Sequence, residues 1–137
     1  MRTFLPYPSF VESARCLDNK RLGKQRVEAM QIILTLTKPE YGWKNHPAVK
    51  MWEGYETALK RYMDVVIFEW CCRGNENNIP YNFSLENEDD FELPPWIGNE
   101  GFHASHRSNL LRKHPEWYGR FGWTEPNNLP YVWPSSS

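Results

Sequence analysis

The chain lacks any long hydrophobic run. Its longest purely apolar stretch is Val65 to Phe68, where a membrane-spanning helix needs about 20 residues. Pro6 and Pro8 interrupt the region in which a secretory segment would need an unbroken apolar stretch. Neither a spanning nor a secreted protein is expected. Cysteine is scarce: Cys16 and the adjacent Cys71 and Cys72 make an odd count with no CxxC spacing. This excludes a disulfide framework, argues against a zinc site built on cysteine pairs, and suits reduced thiols in a cytoplasmic protein. Alternating strand-like patterning and internal repeats are also missing. There is no excess charge of one sign either, since the formal net charge is -1, which by itself speaks against a nucleic-acid binder.

What is present begins with an ordinary globular composition, 40% hydrophobic and 24% charged over 137 residues. That length corresponds to one domain spanning 1–137. Aromatic content is unusual, with seven Trp, seven Tyr and seven Phe. Buried rings account for several, but Trp and Tyr also supply rigid, partly polar binding area. The near-neutral charge conceals a division. Residues 1–74 carry 12 Lys and Arg against 8 Asp and Glu, residues 75–100 carry none against 7, and residues 101–137 carry 4 against 2. An acidic middle segment therefore masks two basic flanks, and a basic face exists if that segment lies elsewhere.

The periodicity predicts a mainly α, compact single-domain fold with one long central helix and irregular connecting loops. Ser9 with Glu12 forms a capping-box signature for a short helix to about Leu17. Asp18 is the candidate N-cap of a second helix running to about Thr37, whose first turns Gly23 weakens. Pro47 opens the strongest pattern, in which Met51, Trp52, Tyr55, Leu59, Tyr62, Val66 and Trp70 recur at helical spacings until Gly74. A single helix of nearly 40 Å is expected there. Residues 75–100 read as a long acidic loop. A further helix fits Glu100 or Gly101 to His114, and an aromatic-rich turn follows at Pro115 to Trp123.

Four constellations carry chemistry. In the first, Arg15, Lys20, Arg21, Lys24 and Arg26 crowd one helical neighbourhood, with Glu28 four residues from Lys24 and seven from Arg21. This is either a surface ion-pair network or a phosphate-binding face with a single acid set inside it. In the second, Gly42 to Trp52, Asn45 and His46 precede a helix N-terminus suited to a phosphate, or simply cap it while Trp43 packs. In the third, His103 and His106 stand three apart on one helix face. Metal ligation is conceivable, but no third ligand pattern accompanies them, and His106, Arg107, Arg112 and Lys113 fit a phosphate-facing helix better. In the fourth, Trp117, Tyr118, Phe121 and Trp123 interleave with Arg120, the composition of a stacking surface or of an aromatic core plug.

Together these stretches resemble the endonuclease V type of pyrimidine-dimer DNA glycosylase. The resemblance rests on Arg2, on Leu22, Gly23, Arg26 and Glu28, on the G-W-K-x-H stretch Gly42 to His46, and on the His-bearing helix followed by Pro115, Trp117, Tyr118, Phe121 and Gly122. It implies a helical domain that clamps duplex DNA carrying a base lesion, flips a base and cuts the N-glycosidic bond, working as a monomer without metal or organic cofactor. In such enzymes the N-terminal α-amino group attacks C1′, the base leaves, and an imine forms that permits β-elimination. An α-amino group with pKa about 7.7 to 8.0 is partly neutral at working pH, unlike a lysine near 10.4.

The resemblance implies Met1 as the source of the amine, because a bulky Arg2 disfavours removal of the initiator Met, and Glu28 as the acid. It places Arg2, Arg21 and Arg26 on phosphates and Trp117, Tyr118 and Phe121 along the strand near the lesion. Lys24, Lys44, His46, His106, Arg107 and Arg120 complete the expected DNA-contacting set. Two departures set questions: the acidic insert Glu76 to Glu92 has no counterpart in the family pattern, and the acid is shifted. The family pattern has Glu directly after Arg, whereas here Val27 separates Arg26 from Glu28. One residue is about 100° of helix rotation, so either the helix is shifted or the carboxylate is turned off the site, with Glu12 as the substitute acid. A non-catalytic binder of damaged or modified DNA on the same scaffold is the alternative, and a metal-dependent nuclease using His103 and His106 is a third.

Overall fold

A computed structural model describes residues 2–38, 40, 45–82 and 91–134. Among them there are helices and turns and no strand. Helix α1 (Phe10–Cys16) starts where Ser9 Oγ accepts the Glu12 N–H at 3.1 Å. Helix α2 (Asn19–Thr37) starts where Asp18 accepts the Arg21 N–H. Both begin at the predicted caps, because a short oxygen-bearing side chain in extended backbone satisfies an otherwise orphaned donor.

The predicted long helix is two helices. α3 (Pro47–Lys50) is a single turn, and α4 (Glu56–Cys72) begins after a break at residues 51–55. Gly54 sits there at φ +87°, a conformation closed to a continuing helix, and its N–H bonds the Glu56 carboxylate at 3.2 Å. The break lets Met51 and Trp52 both turn inward, at 2% and 0% exposure. α4 nevertheless remains the central helix, packed chiefly on α2 and α1. Leu22, Ala29 and Ile32 of α2 meet Ala58, Leu59, Tyr62, Val66 and Ile67 of α4 in the core. α5 (Glu100–Lys113), α6 (Pro115–Tyr118) and a 3₁₀ turn (Gly119–Phe121) complete the order. No helix among the described residues is long and apolar enough to cross a membrane.

Two extended segments are as well held as the helices. The backbone of residues 2–6 runs through the middle of the fold, and buried side chains satisfy it. Gln25 accepts the Phe4 N–H and donates to the Arg2 carbonyl, the Tyr62 hydroxyl lies 2.9 Å from the Phe4 carbonyl, and Arg107 donates to the Pro6 carbonyl. Leu5 is gripped on both sides, its N–H donating to His106 Nδ1 at 2.9 Å and its carbonyl contacting His103 Nδ1 at 2.7 Å.

α5 explains this arrangement. It buries His103, Ser105, His106, Arg107, Ser108 and Asn109, an unusual load, since a buried polar group left unpaired costs about 1–3 kcal/mol. Each is spent on holding a segment. The histidines and Arg107 hold residues 5 and 6, while Ser105, Ser108, Asn109 and Arg112 hold residues 126–132. α5 thus fastens both ends of the described chain to one side of the α1–α2–α4 core.

A candidate nucleic-acid interface and catalytic cleft

The first half of α2 carries Lys20, Arg21, Lys24, Gln25 and Glu28, and these line a cleft of about 380 Å³ together with Arg2, Phe4 and Lys113. Five cations therefore surround one carboxylate. Like charges crowd closely enough for Arg2, Arg21, Arg112 and Lys24 to add to burial in lowering the Lys113 pKa. Cations held together against their mutual repulsion form a face for a polyanion.

Glu28 is half-buried in this cleft. Burial pushes its carboxyl above the ordinary value, against the lowering pull of Lys24, of the Arg2 charge and of a hydrogen bond from the Arg2 backbone. Its Oε2 accepts from Gln25 Nε2 at 2.9 Å. The insertion of Val27 before it has not turned it away: Val27 is the exposed neighbour, and the carboxylate faces Arg2. Glu12, the substitute acid, lies on α1 beside a separate groove lined by Tyr7, Arg15, Cys16 and Phe121.

Arg21 is aimed by a chain of contacts. Its guanidinium pairs with Asp18 at 3.2 Å, and Asp18 also accepts the Tyr118 hydroxyl. Burial works to raise the Asp18 pKa, but hydrogen bonds from Tyr118 and Arg21 hold it below its ordinary value, so the pair stays charged. His46 caps α3, its Nδ1 accepting the Ala48 N–H at 3.0 Å. Burial, then the charge of Arg2 among other causes, lowers its pKa. It therefore shares the field of the cleft.

Several expected contacts belong elsewhere. His106 is 3% exposed, its Nδ1 accepts the Leu5 N–H, and burial lowers its pKa to about 3. It is a neutral core histidine and faces no phosphate. Arg107 is buried and bonded to Glu100, Glu125 and the Pro6 carbonyl, so its charge is consumed inside the protein. Tyr118 is fully buried and acts through Asp18 rather than along a strand. Arg26 turns to the opposite side of α2, where it stacks 4.3 Å from the Trp70 ring and donates to Asn77 at 2.7 Å. There it lines a second, more open groove of about 700 Å³ with Gly23, Val27 and Trp70, and Lys20, Lys24 and Glu28 border both.

Trp117, Arg120 and Phe121 are near the surface but do not line the cleft. Trp117 donates to the Cys16 carbonyl at 2.8 Å, Arg120 lies 3.8 Å over the Trp117 ring, and Phe121 stacks on Trp123 at 5.4 Å. Met1 and Lys44 lie outside the described residues. Both ring nitrogens of His103 are engaged within the protein, Nδ1 with the Leu5 carbonyl and Nε2 as acceptor of the Gly98 N–H at 2.9 Å. Among the described residues no three His, Cys, Asp or Glu side chains are grouped to hold a metal ion. Gln25 was missed by sequence reading, as an uncharged amide inside a cationic run gives no signal.

The cleft thus holds a lone carboxylate among cations, tied to the backbone of Arg2. The family model described as pyrimidine dimer DNA glycosylase matches residues 1–86, more than half of the chain. The chain belongs to the pyrimidine dimer DNA glycosylase family. The matched span contains every cleft residue except Lys113. No curated protein and no solved structure is significantly similar to the chain. The family acts on DNA at pyrimidine dimers, and the cationic cleft accords with a DNA substrate.

Proposed function

We propose that this chain removes a base at a pyrimidine dimer or a related lesion in duplex DNA and then nicks the strand by β-elimination, with the α-amino group of Met1 as nucleophile and Glu28 as acid and base. The observation that carries this reading is the connection of Glu28 to Arg2, through Gln25 and through the Arg2 backbone. Met1 is bonded to Arg2, and standard bond lengths keep its amine nitrogen within about 3.7 Å of the Arg2 nitrogen. In this reading the amine works beside the Glu28 carboxylate.

The chemistry follows from that pairing. The neutral amine forms a bond to C1′ as the C1′–N bond breaks, and the departing base takes the bonding electrons and a proton. Glu28 stabilises the cationic sugar and moves the protons. The sugar ring opens as the C1′–N bond becomes an imine. The imine acidifies C2′, whose proton Glu28 accepts as the 3′ phosphate leaves. Arg2, Arg21, Lys24 and Lys113 hold the flanking phosphates, and extrusion of the reacting nucleotide costs a few kcal/mol, less at a distorted lesion. One domain acting as a monomer is sufficient for this, since every group named lies on a single chain. The position of Glu28 beside Arg2 favours an enzyme over a non-catalytic binder.

Borohydride trapping tests the reading, on duplexes carrying a single pyrimidine dimer, an abasic site or no damage, with mass spectrometry to locate the adduct. A covalent product at Met1 on dimer DNA is expected. Trapping confined to abasic DNA would limit the enzyme to a lyase or to another lesion, and damage-selective binding without trapping would leave a binder.

A further inference from the structure

The segment after the 3₁₀ turn lies outside the residues matched by the family model, yet it reaches the cleft. Buried side chains of α5 bolt it down: the Leu129 N–H donates to Ser108 Oγ at 3.0 Å, the Val132 N–H to Ser105 Oγ at 3.2 Å, and Arg112 donates to the Asn127 carbonyl at 2.9 Å. This fastening puts the Tyr131 ring under the Arg2 guanidinium, 4.0 Å away, and against His106 at 5.1 Å. Trp133 stacks on Tyr131 with centroids 5.5 Å apart and planes 23° apart, and meets His46 edge-on at 6.2 Å. Arg2, Tyr131 and Trp133 thus form one ladder leading outward from the cleft.

The outer rung is unusual. Trp133 is 38% exposed, although a tryptophan committed to the core buries its large apolar surface. It is held in orientation by a stacked partner and an edge contact, so little conformational entropy remains to be lost when a further ring lands on it. The neighbouring charge is cationic, which brings a polyanion to this rim.

We propose that Tyr131 and Trp133 form a stacking shelf at the mouth of the cleft, and that its occupant is a nucleobase of the damaged DNA next to the reacting nucleotide. The inference rests on the proposed function, because it takes the cleft to hold DNA. Aromatic stacking is tolerant of base identity and is worth about 1–3 kcal/mol per base, roughly 5- to 150-fold in affinity. The shelf therefore contributes damage-dependent grip, since only a distorted or extruded stack presents a free base face, and Arg2 serves both the phosphate and the Tyr131 ring.

The test uses the full chain and a duplex carrying a single tetrahydrofuran abasic analogue, with an undamaged duplex as control, and follows binding by fluorescence anisotropy across a salt series. Trp133→Ala is expected to weaken lesion binding about 10-fold, to leave the slope of log affinity against log salt unchanged because no phosphate contact is lost, and to leave undamaged binding nearly constant. Trp133→Phe, which keeps a ring, is expected to restore most of the loss. Unchanged lesion binding in Trp133→Ala overturns the shelf. So does an equal loss on both duplexes together with a lowered Tm, which marks a packing residue. Failure of the unaltered protein to prefer the lesion duplex overturns the proposed function itself, and the shelf with it.

Discussion

Gln25 Nε2 stands 2.9 Å from the Arg2 carbonyl oxygen and 2.9 Å from Glu28 Oε2. A single buried amide, 1% exposed, therefore ties the N-terminal segment to the carboxylate, while its Oε1 accepts from the Phe4 N–H and the Tyr62 hydroxyl. Every hydrogen-bonding direction of this side chain fixes one group of the site to another. Gln25→Leu, close in size, removes all of them and strands buried partners. It is expected to cost about 2–4 kcal/mol in urea denaturation. The rate of base release should fall even at temperatures where the variant stays folded, because the Arg2 backbone, next to the proposed nucleophile, is no longer tied to the proposed acid.

Glu28→Gln keeps the shape of the side chain and removes its charge and its basicity. Base release is expected to drop about 10²- to 10⁴-fold, while binding to lesion duplex holds or improves slightly, since a negative charge has left a cationic cleft. Single-turnover base release together with anisotropy separates the two effects. Retained cutting in this variant would assign the acid wrongly.

The caps of α1 and α2 were legible because Ser9 and Asp18 act on residues three positions away. The break between α3 and α4 was not, since Met51, Trp52 and Tyr55 fit a helical stripe as readily as a turn that points two of them inward. Gly54 was the only local sign. α5 was read as facing phosphates because its histidines and arginine look solvent-seeking in isolation. Their partners include backbone groups about a hundred residues away, at Leu5 and Pro6, and no local pattern encodes that. The cationic face of α2 was legible because one helix carries Lys20, Arg21, Lys24 and Glu28. Arg26, on the same helix, turns to the other side because Trp70 of α4 and Asn77 hold it there, and no spacing within α2 reports those partners.

Stability should fall on mild acidification. Burial holds the His106 pKa down at about 3 and also lowers that of His103, whereas an unfolded histidine titrates near 6.5. Between those values the unfolded chain binds more protons at His106 than the native one, so this stability is full above about pH 6.5 and is lost as pH falls toward 3, at up to about 1.4 kcal/mol per pH unit, with His103 acting in the same direction. Urea midpoints measured from pH 7.5 to 4.5 should decline. His106→Gln, which carries an acceptor but no titrating ring, should be less stable at neutral pH and show a shallower decline.

Gly23 gives a case in which two principles oppose each other. In mid-helix a glycine is worse than alanine by about 1 kcal/mol, so Gly23→Ala would ordinarily stabilise α2. Here an added Cβ would stand 2.9 Å from Cη2 and Cζ3 of Trp70, closer than carbon atoms approach without displacement. The indole cannot retreat freely, because its N–H donates to the Glu76 carbonyl at 2.8 Å and Arg26 lies on its ring. Overpacking of this kind costs about 1–3 kcal/mol. The expected result is net destabilisation of Gly23→Ala in the unaltered protein and stabilisation by about 1 kcal/mol in a Trp70→Leu background, where the clash is gone. Urea denaturation of the four proteins in this cycle measures the coupling directly. Equal effects of Gly23→Ala in both backgrounds would mean that Trp70 yields without cost.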